Sequence, residues 1–251
     1  MSGTGASMPF DLKKADHLPQ HREDGATRDP NWLPEQRRGT TPQMIGRYPD
    51  YDVFDAMETW DDATRAVIET RMNVPRAMSF FSHDEQATAR RFCDLVMAQD
   101  REPRIPVVEL VDDKLRAGRL DGFHYDDLPD DRETWRRVLA GLEQTALSRL
   151  GTSFATCADG EALRIVTDFA EAKLSGGVWE SMNVARAWSV CTRAILAAFY
   201  SHPWSWNEIG FGGPAYPRGY MRLGPISTLD PYEQPGATSE DPVRATGEAE
   251  A

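Results

Sequence analysis

The stretch of sequence that most restricts the fold is 184–201, which is apolar on nearly every side of a helix. Its large residues recur at helical spacing: Ala187, Trp188, Cys191, Ile195, Leu196 and Phe199. A helix without a polar face has to be enclosed by neighbouring elements. We therefore expect this helix at the centre of the core.

Helical spacing and end signals predict five further helices. Ser82 and Glu85 form a capping-box pattern, Pro106 suits a first turn, and Asp130 and Gly151 bracket the longest segment. The predicted helices cover 61–72, 83–98, 106–116, 130–150, 160–174 and 184–201. Strand signals are weak, the best being 105–108. The sequence therefore predicts an all-α fold, a single helical bundle of about six helices.

The composition of the two ends differs from that of the middle. Residues 1–50 are polar, interrupted by proline and without helical or strand period, which predicts a disordered or extended head. Residues 225–251 are acidic and predict a disordered tail. The helical domain is then expected at 51–224, with an extended N-terminal segment and a C-terminal loop rich in aromatic residues and glycine.

Charge and apolar content exclude several classes of function. The formal net charge of −12 opposes binding to nucleic acid or anionic membranes. No apolar run is long enough to span a membrane. The Arg37–Arg38 pair is not followed by the apolar stretch of an export signal. We expect a cytoplasmic protein, or one exported together with a partner that carries the signal.

The three cysteines, Cys93, Cys157 and Cys191, are odd in number and far apart. They stand in apolar or helical contexts, which is typical of buried free thiols and not of a disulfide framework or a zinc site.

The segment 202–224 carries the most information about function. It holds five glycines and three prolines, which exclude a long helix, and five aromatic residues, which are too many for a solvated loop. The rings have to be buried either against the chain's own helices or against a partner. Aromatic and arginine side chains dominate protein interfaces, so the second destination makes this segment a candidate docking surface.

The sequence contains few candidate catalytic or cofactor-binding motifs. Residues 210–215 formally fit a dinucleotide fingerprint, with Asp230 beyond, but the preceding helix and the following Tyr216–Pro217 are the wrong context. His202 and Glu208, with Arg218, are the best candidates for a stand-alone enzyme. We therefore assign no catalytic, cofactor-binding or metal residues, and the adjacent carboxylate pairs, such as Asp112–Asp113, predict capping or solvation.

The residues 199–203 and the following Trp206-Asn207-Glu208-Ile209-Gly210-Phe211-Gly212-Gly213-Pro214 resemble the carboxy-terminal signature of the gluconate 2-dehydrogenase subunit 3 family. The segment Phe80-Phe81-Ser82, the segment 105–115 and the helix from Asp130 are similar to that family in order and spacing. The resemblance covers about 78–224. It departs in having Trp204-Ser205-Trp206-Asn207 where Gly-Gly-Asn is more usual.

The resemblance implies a non-catalytic accessory subunit that binds and stabilises a separate dehydrogenase of the glucose-methanol-choline oxidoreductase type. That partner would hold FAD and oxidise a sugar or alcohol. A dedicated folding or export chaperone of the flavoprotein is the alternative. The interface role is expected at eight residues: Trp204, Trp206, Asn207, Phe211, Tyr216, Arg218, Tyr220 and Arg222.

Overall fold

The computed structural model describes residues 53–99, 104–120 and 125–214. Within these ranges it contains α-helices, two 3₁₀ helices and no strand, which confirms the all-α prediction. The α-helices are α1 (Asp62–Met72), α2 (His83–Met97), α3 (Val107–Arg116), α4 (Asp131–Leu150), α5 (Asp159–Ala170), α6 (Val184–Tyr200) and α7 (Pro203–Ile209). The 3₁₀ helices are Val53–Thr59 and Gly177–Ser181.

The chain divides into two compact units. One, here called the helical bundle, comprises 74–100 and 105–200 and contains α2 to α6. The other, here called the terminal unit, comprises 1–73, 101–104 and 201–251; its described helices are the 3₁₀ helix Val53–Thr59, α1 and α7. The predicted domain bounds near 50 and 224, the head 1–50 and the tail 225–251 lie outside the described residues.

Local end signals explain where the helices begin and stop. Ser82 accepts the N–H of Glu85 while the Glu85 carboxylate accepts the N–H of Ser82, so the predicted capping box is present. Asp130 caps α4 by accepting the N–H of Glu133. Gly151 ends the same helix in the left-handed conformation, with φ of 69°. These ends agree with the sequence prediction.

The helix α6 is the hub of the bundle, as predicted, because it contacts α2, α3, α4 and α5. Its side chains at Ala187, Cys191 and Ile195 are fully buried. The prediction that nearly the whole surface of this helix is enclosed is wrong for one face, where Leu196 and Tyr200 are 44% and 40% exposed in the chain.

Two helices differ from the sequence prediction. The helix α5 ends at Ala170 and not at 174, and Ala172 lies beyond its end with a positive φ of 54°. Leu174 is buried nevertheless, so the apolar spacing that extended the prediction reflects burial and not helix. The second difference is α7, a short helix inside the segment predicted as a loop.

A carboxylate of α3 holds the turn that precedes α2. The side chain of Asp112 is 3% exposed and accepts the backbone N–H groups of Ser79, Phe80 and Phe81 at 2.8, 3.0 and 2.9 Å. Its neighbour Asp113 points the other way and forms ion pairs with Arg116 and Arg119. The two adjacent carboxylates thus diverge, one capping a turn and one solvated, as the sequence predicts.

Candidate functional site

The candidate site is the part of the segment 202–224 that the structure describes, from His202 to Pro214. Its first residue is the N-cap of α7, where the Nδ1 atom of His202 accepts the N–H of Trp204 at 3.3 Å. Pro203 occupies the first turn, where its missing N–H is of no consequence. The hydroxyl of Ser205 donates to the carbonyl of His202 at 2.7 Å. The prolines and glycines therefore bracket a helix of two turns.

The aromatic rings of this segment are packed inside the chain. The Trp204 ring lies edge-on to the imidazole of His202, with centroids 4.9 Å apart. The Trp206 ring meets Phe211 edge-on at 5.6 Å, and the guanidinium of Arg71 lies 5.8 Å from the centroid of the Trp206 ring. Arg71 also donates to the carbonyl of Ser201 at 3.2 Å, which ties α1 to the start of α7.

The second tie joins α7 to the first described residue of the chain. The side-chain oxygen of Asn207 accepts the N–H of Val53 at 2.7 Å, and both groups are buried. Gly213 has φ of +75°, and a Cβ atom placed there would lie 2.8 Å from the Cγ2 atom of Val53. The same Cβ would lie 3.4 Å from the Trp60 ring. The glycine is therefore required both for its backbone conformation and for the close approach of Val53.

The predicted interface residues fall into two groups. Trp204, Trp206 and Asn207 are only 2%, 4% and 3% exposed, and Phe211 is half-buried. Tyr216, Arg218, Tyr220 and Arg222 lie outside the described residues. The rings could be buried within the chain or against a partner, and both tryptophans are buried within the chain. The interface role of the eight residues stays a prediction.

The candidate catalytic residues are not assembled within the described residues. The imidazole of His202 is 2% exposed and its Nδ1 atom is engaged in the cap of α7. Arg218 lies outside the described ranges, as does the side chain of Glu208. In the described part of the chain, no group of three His, Cys, Asp or Glu residues is placed to hold a metal ion.

The three cysteines are free and buried, which confirms the sequence prediction. Burial raises the pKa of the Cys93 and Cys191 thiols well above the usual value of 9.0, because a thiolate would have to form away from water. These two thiols are therefore protonated at neutral pH and are poor nucleophiles.

A cavity of about 230 Å³ lies in the bundle between α4 and the turn 175–179. Three of its polar side chains are already engaged: Gln144 accepts the N–H of Val178, Thr145 accepts the indole N–H of Trp179, and Arg149 pairs with Asp168. No His, Cys, Asp or Glu lines it. The cavity offers no acid–base pair for catalysis.

Sequence reasoning missed two residues outside 202–224 that form hydrogen bonds at this segment or directly before it, Arg71 and Val53. Arg71 is one basic residue among many in the sequence. The bond from Val53 to Asn207 spans 154 positions, and no short-range pattern signals it. Among the described residues, no helix is long and apolar enough to cross a membrane.

The comparisons with known proteins identify a family. Residues 83–213 match the family model described as gluconate 2-dehydrogenase subunit 3. The matched region covers a little over half of the 251 residues and runs from the first residue of α2 to Gly213. No curated protein and no solved structure matches the chain.

Proposed function

Because this chain belongs to the gluconate 2-dehydrogenase subunit 3 family, we propose that it is a non-catalytic accessory subunit of a dehydrogenase complex. The observation that carries the proposal is the extent of the match, which includes the whole of α2 to α7. The matched residues form the helical bundle and the packed aromatic segment up to Gly213. Their described part contains no group of His, Cys, Asp or Glu side chains placed to hold a metal ion. A subunit that acts by binding needs only the scaffold and a surface.

The partner in this proposal is a larger FAD-dependent dehydrogenase of the glucose-methanol-choline oxidoreductase type, which oxidises a sugar or alcohol. In this proposal the partner binds FAD, and this chain stabilises the partner. In support, the glycine-rich stretch that formally resembles a dinucleotide fingerprint has other tasks here. Gly210 caps the end of α7, and Gly213 makes room for Val53. The complex is cytoplasmic, or the partner carries the export signal for both subunits.

The first experiment is purification of the tagged chain from its native cell, followed by a gel and a visible absorbance spectrum of the eluate. The proposal expects a larger protein in equimolar amount, with the absorbance of a flavin. A colourless, monodisperse single chain would contradict the permanent-subunit proposal. A partner present only in substoichiometric amount, and absent from the mature enzyme, would favour the alternative of a dedicated folding or export chaperone.

A second measurement tests whether the segment 202–224 takes part in binding. An interface of standard size buries about 1,600 Å², and a central aromatic residue in it contributes about 2–4 kcal/mol. Among the described rings of the segment, Phe211 is the half-buried one, so Phe211→Ala is expected to weaken binding of the partner by about 2 kcal/mol or more. Leu147→Ala on α4, a residue 53% exposed, is the control outside the segment. Equal affinity of both variants and the unsubstituted chain would remove the segment from the interface.

A further inference from the structure

Two arginines on the surface of the bundle lie one helical turn apart near the start of α4. Arg132 lies in the first turn of α4, at the positive end of the helix dipole. Arg136 follows one turn later, so the two like charges repel each other at i and i+4. Both side chains are exposed. Among the described residues, neither forms an ion pair.

Other arginines of the bundle show the contrast. Arg137, between the same two turns of α4, pairs with Glu133 at 2.8 Å. Seven other arginines of the described bundle pair with a carboxylate: Arg90 with Glu109, Arg91 with Asp159, Arg116 and Arg119 with Asp113, Arg149 with Asp168, Arg164 with Glu161 and Arg186 with Asp127. Arg132 and Arg136 differ from these arginines because neither contacts a carboxylate among the described residues, although Asp131 and Glu133 stand in the same turn of α4.

Both guanidinium groups are held on the same aromatic ring. The central carbon of Arg132 lies 5.3 Å from the centroid of Phe80, and that of Arg136 lies 4.9 Å from it. A guanidinium held over a ring keeps its N–H groups available for a carboxylate, since those donors lie at its edges. The pair, here called the arginine clamp (Arg132, Arg136 and Phe80), is therefore fixed in place with its donors unused.

The ring under the clamp is itself fixed. Phe80 is only 6% exposed, its N–H donates to Asp112 at 3.0 Å, and its ring meets Phe81 edge-on at 5.1 Å. Phe81 in turn lies against Trp135 of α4, with ring centroids 5.7 Å apart. Because its support is rigid, the clamp gives up little side-chain entropy when an anion binds.

We propose that the arginine clamp docks a pair of acidic side chains, one helical turn or one strand repeat apart, on the partner dehydrogenase subunit. The inference rests on the proposed function and names one of its contact surfaces. Planar guanidinium groups fit carboxylates through two parallel N–H···O bonds, and two of them within 5.3 Å of one centroid suit two neighbouring carboxylates. The clamp lies on an exposed helix surface and not in a closed pocket, which fits a protein surface better than a small anion. In a chain of net charge −12, a local cluster of two exposed guanidinium groups is a position at which an acidic partner surface is attracted.

The test uses the dehydrogenase subunit that co-purifies with the tagged chain, separated from it in high salt and titrated back in low salt. The test variant is Arg132→Glu/Arg136→Glu. The matched control is Arg116→Glu/Arg119→Glu, which makes the same change of net charge on exposed arginines of the same bundle. Both variants have to show native circular dichroism before they are titrated. A third variant, Arg132→Lys/Arg136→Lys, keeps the charge and removes the planar donors.

The inference expects affinity for the dehydrogenase to fall about 10- to 100-fold in the test variant and much less in the control. The lysine variant should fall between them, and the dependence of affinity on salt should be weakest in the test variant. Equal affinities of the test and control variants would overturn the inference and leave the accessory-subunit proposal intact. Absence of any dehydrogenase in the purification of the unsubstituted chain would overturn both.

Discussion

The clearest test of the packing concerns the buried carboxylate of Asp112 and its partly exposed neighbour Asp113. Asp112→Ala removes the acceptor for three backbone N–H groups, those of Ser79, Phe80 and Phe81. Ser79 is exposed, so water can replace the carboxylate there. The other two donors are buried, and a buried N–H without a partner costs about 1–3 kcal/mol. The expected loss of stability is therefore the cost of leaving the buried N–H groups of Phe80 and Phe81 without an acceptor.

We expect Asp112→Ala to lower the free energy of unfolding by about 2–5 kcal/mol, after a small gain from the higher helix propensity of alanine. Asp112→Asn keeps one oxygen for Phe80 and Phe81 and loses the bond to Ser79, so its loss should be about 1 kcal/mol. Asp113→Ala removes only exposed ion pairs and should change stability by about 0.5 kcal/mol or less.

The assay is urea denaturation followed by helical circular dichroism, with the slope of the transition compared among the variants. In thermal unfolding, the loss for Asp112→Ala corresponds to a drop in melting temperature of about 2–4 °C per kcal/mol. The reasoning is refuted if Asp112→Ala and Asp113→Ala unfold at the same urea concentration. An equal loss in the alanine and asparagine variants would show that the buried N–H groups are not the cause.

Three further predictions concern the terminal unit and the buried thiols. Gly213→Ala should destabilise the terminal unit by about 2–4 kcal/mol, because it adds backbone strain at a positive φ and an overlap with Val53. Gly151→Ala, at a similar φ but with open space around the new Cβ atom, adds the backbone strain alone and is the control. Faster hydrogen exchange in α1 and α7 of Gly213→Ala would support this prediction, and equal destabilisation by the two substitutions would contradict it. Asn207→Ala should speed amide exchange at Val53 about tenfold or more, while Asn207→Asp, which keeps an acceptor oxygen, should not. Cys93 and Cys191 should resist a thiol reagent at pH 8 until urea unfolds the chain, and stoichiometric labelling of the folded chain would contradict their burial. The folded pKa values of both thiols lie above 9.0, so the thiols of the unfolded chain release their protons at a lower pH than those of the folded chain. The contribution of the two thiols to stability is therefore present below the unfolded pKa and is lost as the pH rises through the folded pKa.

Features set by neighbouring residues could be predicted from the sequence. The capping box at Ser82 and Glu85, the cap at Asp130 and the stop at Gly151 all act over a few positions. The apolar spacing of 184–201 also correctly placed α6 at the centre of the bundle. In each case the physical cause lies within the stretch of sequence that signals it.

The remaining features depend on distant contacts. The glycine and proline content of 202–224 predicted a loop and not the helix α7. A helix of two turns can form there because it needs only the cap at His202 and Pro203 in its first turn. The burial of Trp204 and Trp206 could not be assigned, because a buried ring and a docking ring have the same composition. The arginine clamp was missed for a similar reason, since it needs Phe80 from outside α4.

The bond between Val53 and Asn207 also determines the order in which this protein can fold as it is synthesised. All residues of the bundle lie between 74 and 200, so the bundle can form before α7 has been made. The segment 53–73 is synthesised before the bundle, whereas its partners Asn207 and Gly213 are synthesised after it. The contacts of 53–73 with the segment 202–214 can therefore form only after the bundle has been synthesised, and a chain cut short after 200 would lack the partners of Val53, Trp60 and Arg71 in that segment.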